Sequence, residues 1–265
     1  MSFKKAVQSS FSRAAETYKD FSEAQQKAAD DLVRLLLSRL AEQATALDTK
    51  FSILDIGCGP GVLEAKLQKH LPNMNYVGID LSHMMTLEAD KTKTLSSSNF
   101  VAADMDSLPF QNDSFDIVLS SSTLQWSQPE TFPWMQEVHR VLRPSGIFCF
   151  NHMSEGSLEN FYLTYQSVCN DFFSLHSYPN QVLLESELKE MFLDCLFEEK
   201  NYQKVYPNLM DFLRDIQKTG ARSASIKGKT RLTKKKILKI EEKLRNTEGK
   251  IPIDYRFCFA SGKKA

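Results

Sequence analysis

The chain has no C-x-x-C pair, no histidine cluster and no long apolar run, and each absence removes a class of function. Its five cysteines, Cys58, Cys149, Cys169, Cys195 and Cys258, are odd in number and scattered. That distribution argues against a disulfide framework and against a zinc site, and it suits a reducing compartment. No stretch approaches the roughly 20 apolar residues needed to cross a bilayer, and the opening residues are too polar for a secretory leader. A cytoplasmic protein without metal or membrane attachment is expected. The 33 Lys and Arg balance 33 Asp and Glu, so bulk charge points to no nucleic-acid partner. Internal repeats and low-complexity tracts are missing. The five histidines, His70, His83, His139, His152 and His176, form no motif that would supply a general base.

What is present is a change of rhythm along the chain. From Val7 to Leu40 apolar residues (Phe11, Ala14, Ala15, Tyr18, then Leu32, Leu35, Leu36 and Leu40) recur at helical intervals. From Phe51 short β-rich runs at Phe51–Ile56, Tyr76–Ile79, Phe100–Ala102, Phe115–Leu119 and Ile147–Phe150 alternate with helical stretches at Val62–His70, Ser82–Leu95 and Thr131–Leu142. Such alternation predicts βαβ units in a mostly parallel, Rossmann-like α/β sheet with helices on both faces. Pro144-Ser145-Gly146 reads as the turn into the fifth strand. After Met153 the rhythm breaks: Leu158–Leu175 and Glu185–Phe197 look helical, with no clear strand between them, and a last β-like run covers Tyr255–Ala260. The expected organisation is N-terminal helices over 1–48, a ligand-binding core over 49–153, a helical insertion over 154–250 and a returning strand over 251–265.

The sharpest local signal is Ile53-Leu54-Asp55-Ile56-Gly57-Cys58-Gly59-Pro60-Gly61, an apolar strand ending in a glycine-rich turn. Glycine permits unusual backbone angles and lets a ligand approach the main chain, and such a turn sits where ligands bind beyond the strand ends. The G-x-G-x-G spacing differs from the dinucleotide fingerprint. Pro60 also removes a backbone donor, so the turn is a poor pyrophosphate cradle. Asp80 closes the second strand, about twenty residues on, where a carboxylate can accept from both hydroxyls of a ribose or cap the following helix. Asp104 follows the third strand, where it can accept from an adenine amino group or again cap a helix.

Together, the glycine turn, Asp80 and Asp104 resemble the class I S-adenosylmethionine-dependent methyltransferases. The segments Ser107-Leu108-Pro109-Phe110, Ser114–Val118 and Leu142–Gly146 agree in order, so the match covers about 50–152. The resemblance implies that Gly57, Gly59 and Gly61 lie against S-adenosylmethionine, with Asp55 near its ammonium. It further implies that Asp80 and Leu81 hold the ribose and that Asp104 and Met105 border the adenine.

The N-terminal run Phe11-Ser12-Arg13-Ala14-Ala15-Glu16-Thr17-Tyr18, then Gln25 and Ala28-Ala29, is similar to the opening of the malonyl-[acyl-carrier protein] O-methyltransferases of biotin synthesis. Ser122-Thr123-Leu124-Gln125-Trp126, Lys218–Ala221, Arg231-Leu232-Thr233 and Pro252–Tyr255 echo later landmarks of that family. Ser22, Asp254 and the stretch between Gly220 and Arg231 depart from its pattern, which bears on substrate contacts and not on the fold. The implied substrate is malonyl-acyl-carrier protein or malonyl-coenzyme A, whose free carboxylate is already ionised at neutral pH. No base is then needed, and catalysis comes from alignment and exclusion of water. An N-terminal lid carrying Tyr18, and Gln125 with Trp126 after the fourth strand, are the expected catalytic residues; Tyr18 and Trp126 would serve equally as core aromatics.

Between Arg214 and Arg245 lie twelve Lys or Arg against Asp215, Glu241 and Glu242. Such a local excess steers acidic partners, and an acidic carrier protein is the partner that the resemblance implies. A solvated helix face would look the same. No aromatic platform is interleaved with the charges, so single-stranded nucleic acid is not expected. Two rival readings share the cofactor core: a small-molecule methyltransferase acting on another carboxylate or a quinone, and a non-catalytic cofactor-binding assembly factor.

Overall fold

A computed structural model describes residues 3–44, 46–127, 131–170, 178–221 and 232–265. Three helices open the chain: α1 (Phe3–Ala14), the short α2 (Tyr18–Phe21) and α3 (Glu23–Glu42). Strands and helices then alternate through β1 (Ser52–Ile56), α4 (Val62–Leu67), β2 (Asn75–Asp80), α5 (His83–Thr92), β3 (Asn99–Ala102) and β4 (Phe115–Ser121). A single 3-10 turn (Leu124–Trp126) leads to α6 (Pro133–Val141), β5 (Leu142–Met153), α7 (Glu159–Cys169), α8 (Gln181–Met191) and β6 (Leu193–Tyr206). The chain ends through α9 (Leu209–Lys218), α10 (Lys234–Leu244) and β7 (Ile251–Lys263).

The seven strands form one sheet in the order β3-β2-β1-β4-β5-β7-β6. The first five run parallel, while β7 is antiparallel to both β5 and β6. This is the mostly parallel, Rossmann-like α/β sheet expected from the sequence, with strand order reversing between β1 and β4, where ligands bind in such sheets. Ile53, Leu54, Asp55 and Ile56 of β1 are all buried because both faces are covered. On one face Ile53, Ile117, Cys149 and Phe257 pack against Ala28, Leu32 and Leu36 of α3 and against α7, α9 and α10. On the other, Leu54, Val118, Phe148 and Phe150 pack against Trp134 and Val138 of α6 and Leu188 of α8.

Two sequence expectations need correction. The insertion over 154–250 is not all helical: α8 stops at Met191 and β6 runs for 14 residues, through the stretch read as helix to Phe197. Lys200, Tyr202 and Lys204 alternate toward the protein while Glu199, Asn201 and Gln203 face out, and that polar content hid a strand defined by pairing with β7. The lysine ammoniums lie over aromatic faces, Lys200 on Phe259 and Lys204 on Tyr206. Second, Pro144-Ser145-Gly146 is not a separate turn but lies inside β5, at a register irregularity where Ser145 takes φ +65°.

β7 begins at Ile251, four residues before the β-like run that starts at Tyr255. Its pairing with β5 ends at Met153↔Phe257, whereas β6 and β7 stay paired to Tyr206↔Ile251. The pair therefore overhangs the carboxyl edge of the sheet, and Pro252 falls where β7 has lost its β5 neighbour. Helices α7, α9 and α10 pack on this overhang and form a cap above the switch point.

Candidate active site

The glycine-rich turn is shaped by what stands behind it. Gly57 has φ +73°, and a Cβ there would fall 2.1 Å from Thr123 Oγ1. The Thr123 hydroxyl lies 3.2 Å from the Gly57 carbonyl and 3.1 Å from that of Ser121. Gly59, at φ +52°, has nothing within 4 Å of its missing Cβ and so offers bare main chain to the cleft. The amides of Gly57 and Cys58 both donate to the Ile79 carbonyl at 2.8 Å, and that of Gly59 to Asp80 Oδ2 at 3.1 Å. With these donors turned toward β2 and Pro60 having none, the turn is no phosphate cradle. Gly61, predicted as a ligand contact, instead caps α4 at φ +84°, its missing Cβ 3.3 Å from Ala89 Cβ.

Two carboxylates stand at the floor. Asp80 accepts from the Gly59 and Ser82 amides, the latter at 2.8 Å. Ser82, not Asp80, caps α5 through its own hydroxyl. Asp80 lines the cleft beneath the N-terminal helices, and burial raises its carboxyl to about 6 against the pull of the two amides. Asp55, one residue before the end of β1, accepts from the Tyr76 hydroxyl. Burial raises it to about 7; the Tyr76 bond works against that shift and the Asp80 charge adds to it. Among the described residues Asp55 Oδ1 has no hydrogen-bond partner, and Asp55 lines a cavity. A buried acceptor left open beside a cavity suits a cationic donor on a ligand.

Three adjoining chambers lie over the carboxyl edge. The main one, of about 730 Å³, is bounded by Gly57, Gly59, Asp80, Leu81, Asp104 and Met105 below and by Lys4, Val7 and Phe11 of α1 above. A second, of about 380 Å³, holds Asp55, Gln25 and Gln26. The third, of about 680 Å³, lies under the cap among Gln125, Tyr162, Tyr178, Asp215 and Tyr255. Tyr18 borders the first two chambers, Gln25 the second and third, and Trp126 the first and third. These shared side chains mark where the chambers meet.

Of the expected site residues, only Gly61 lies off the chamber walls. Asp104 is not a helix cap: no helix follows β3, and its carboxylate is clasped by Lys4. The Gln125 amide donates to the Ser122 carbonyl at 2.8 Å, and Trp126 meets Phe11 edge-on at 5.3 Å. The Tyr18 phenol is pushed well above its ordinary value by burial and by the Asp80 charge, so it remains a neutral donor. Sequence reasoning missed Lys4, although Lys4, Val7 and Phe11 recur at helical spacing on one face. It also missed Asn151, whose Oδ1 accepts from the Ser122 amide at 2.9 Å and whose Nδ2 donates to the Ala28 carbonyl at 3.0 Å. Asn151 thus ties α3 to the loop that carries Gln125 and Trp126, with Ser122 at φ +57°. Tyr162, Tyr178 and Tyr255 converge from separate segments and leave no local signature.

The chain is similar to known methyltransferases. A family model described as a methyltransferase domain matches residues 53–146. A malonyl-[acyl-carrier protein] O-methyltransferase of Buchnera aphidicola subsp. Baizongia pistaciae is 30% identical, covering 97% of this chain and 97% of that protein. One from Herminiimonas arsenicoxydans is 29% identical over 97% of this chain and 94% of its own. Among solved structures, phosphoethanolamine N-methyltransferase 2 of Haemonchus contortus, in complex with S-adenosyl-L-methionine, superposes with a TM-score of 0.59 at 17% identity, covering 100% of this chain and 60% of that one. The YcgJ protein of Bacillus subtilis gives 0.54 at 16% identity, covering 88% and 98%. At such identities the two structures bear on the fold alone.

Proposed function

The chain belongs to the malonyl-[acyl-carrier protein] O-methyltransferase family, and from that premise we propose how its chambers divide the work of methylating the free carboxylate of a malonyl thioester, an early step of biotin synthesis. The cofactor is S-adenosylmethionine, which when bound supplies an electrophilic methyl group on a positively charged sulfur. The chambers fit it: a carboxylate at Asp80 for a diol, an open buried acceptor at Asp55 for an ammonium, and apolar walls at Leu81, Met105 and Val7 for a flat ring. The third chamber then takes the malonyl group, and the observation that carries the reading is that Tyr18, Gln25 and Trp126 each border two of the three chambers.

A malonyl carboxylate is ionised at neutral pH, so the protein has no proton to remove. Its residues instead hold the nucleophile in line, which is worth several kcal/mol when two reactants are fixed together. Tyr18, Trp126 and the cap exclude water while opposite charges cancel, which strengthens every electrostatic contact inside. Tyr18, as a neutral phenol, donates to an anion without titrating in the working range.

The basic segment over 214–245 is the docking surface for the acidic carrier protein. Arg222, Lys227, Lys229 and Arg231 lie outside the described residues. Arg214 and Arg245 are engaged by Asp211 and Glu241. On α10, Lys234, Lys235, Lys239 and Lys243 are exposed, and none has an ion pair among the described residues. Incubation with malonyl-carrier protein and methyl-labelled cofactor tests the assignment, with the labelled methyl ester read by mass spectrometry. Label entering only a free acid or a quinone would replace it with a small-molecule methyltransferase. Cofactor binding without turnover on any of these would make the chain an assembly factor.

A further inference from the structure

Helix α1 spans the main chamber from one bank to the other. Its Lys4, Val7 and Phe11 form a single stripe facing the chamber. On one bank the Lys4 ammonium lies 2.8 and 2.6 Å from the two oxygens of Asp104 and 2.6 Å from Asp106 Oδ2, both in the loop after β3. On the other bank, after β2, Gln8 donates to the Leu81 carbonyl at 2.8 Å and the Ser12 and Ser82 hydroxyls meet at 2.9 Å. A ligand held by Asp80, Leu81 and Met105 therefore lies beneath α1, which is fastened on both banks of the chamber.

We infer that Lys4 is a latch: by clasping Asp104 and Asp106 it closes α1 over the main chamber and sets how fast S-adenosylmethionine and its demethylated product enter and leave. This rests on the cofactor reading above. The Lys4 side chain is 40% exposed and that of Asp104 36%. A half-exposed ion pair is weak and screened by salt, which suits a contact that opens in every turnover. The fastenings on the opposite bank, Gln8 to the Leu81 carbonyl and Ser12 to Ser82, are neutral hydrogen bonds, so of these two banks it is the Lys4 one that salt loosens.

The test is stopped-flow binding of S-adenosylhomocysteine, followed by tryptophan fluorescence because Trp126 lines the chamber. Lys4→Met keeps the length of the side chain and removes the charge; both association and dissociation should quicken, by roughly five- to tenfold. Added salt should quicken exchange in the parent protein and act much less on Lys4→Met, while Lys4→Arg should behave as the parent. Dissociation rising alone would make Lys4 an ordinary ligand contact and overturn the latch, as would unchanged rates. Asp80→Asn in the same assay separates the two inferences, because unchanged binding there removes the cofactor reading itself. Hydrogen exchange on the ligand-free protein is the second readout. Protection of α1 should fall in Lys4→Met while that of β1 and β4 stays, and undiminished α1 protection would also overturn the latch.

Discussion

Asp80 is held from behind by the Gly59 and Ser82 amides and looks forward into the main chamber, so it shapes the turn as well as facing the ligand. Asp80→Asn keeps the shape but loses the charge that strengthens a hydrogen bond to a hydroxyl roughly twofold. Calorimetry should show cofactor affinity lower by at least about tenfold in a folded protein. Unchanged affinity would remove Asp80 from the site. Its neighbour Asp55 makes a prediction about pH. Burial raises the folded-state carboxyl to about 7, against roughly 3.9 when unfolded. The folded protein therefore binds more protons between those values. Stability from this group is complete below the unfolded value and is lost as pH rises through the folded one. Asp55→Asn cannot ionise, so the ligand-free variant should melt higher than the parent at pH 8 and close to it near pH 4. Parallel melting curves across that range would show that burial of this carboxyl costs nothing.

The short helix α2 gains its position from what lies on either side of it. The Thr17 hydroxyl donates to the Lys218 carbonyl at 2.8 Å, fastening the start of α2 to α9 in the cap, and Phe11 packs near Tyr18 at 6.4 Å. Tyr18, the first residue of α2, thus stands between α1 and the cap, at the junction of two chambers. Tyr18→Ala should reduce kcat by on the order of a hundredfold, since misplaced reacting groups cost about that much. The melting temperature of the sheet should change little. Tyr18→Phe separates the phenol from the ring: recovery of most activity would assign the role to shape and exclusion of water. Near-normal turnover by the alanine variant would return the residue to plain packing.

At the scale of the whole molecule, a neutral chain keeps a basic helix on its cap. If α10 receives an acidic carrier protein, reversal of Lys234, Lys235 and Lys236 to Glu should raise KM for the carrier-bound substrate by tenfold or more, on the order expected of steering charges. The kcat should change much less, because rim charges act on encounter. The effect should fade with salt beyond a Debye length of about 8 Å. A malonyl thioester of a small neutral thiol, lacking the protein surface, should be indifferent to both changes. Equal losses on the two substrates would mean that the cap is damaged and that docking lies elsewhere.

The sequence by itself determined the parallel core and half of the site. The run Ile53–Gly61, Asp80 and Asp104 each follow an apolar strand, and both strand and turn are written in a few adjacent residues, where steric and hydrophobic preferences act alone. The tertiary structure decided the rest. β6 is a strand because β7 lies beside it: Tyr202 favours a strand, but Lys200 and Lys204 on either side of it do not. Lys4 is a site residue only because the fold brings it to Asp104, 100 positions away, and nothing near Lys4 in the chain announces that partner. Gly61 has the right spacing for a ligand contact, yet its missing Cβ faces Ala89 of α5. Local patterns specify which elements form and where a strand ends. Which side chains share a cavity depends on contacts whose cost in chain entropy is met only when the whole sheet and its cap assemble together.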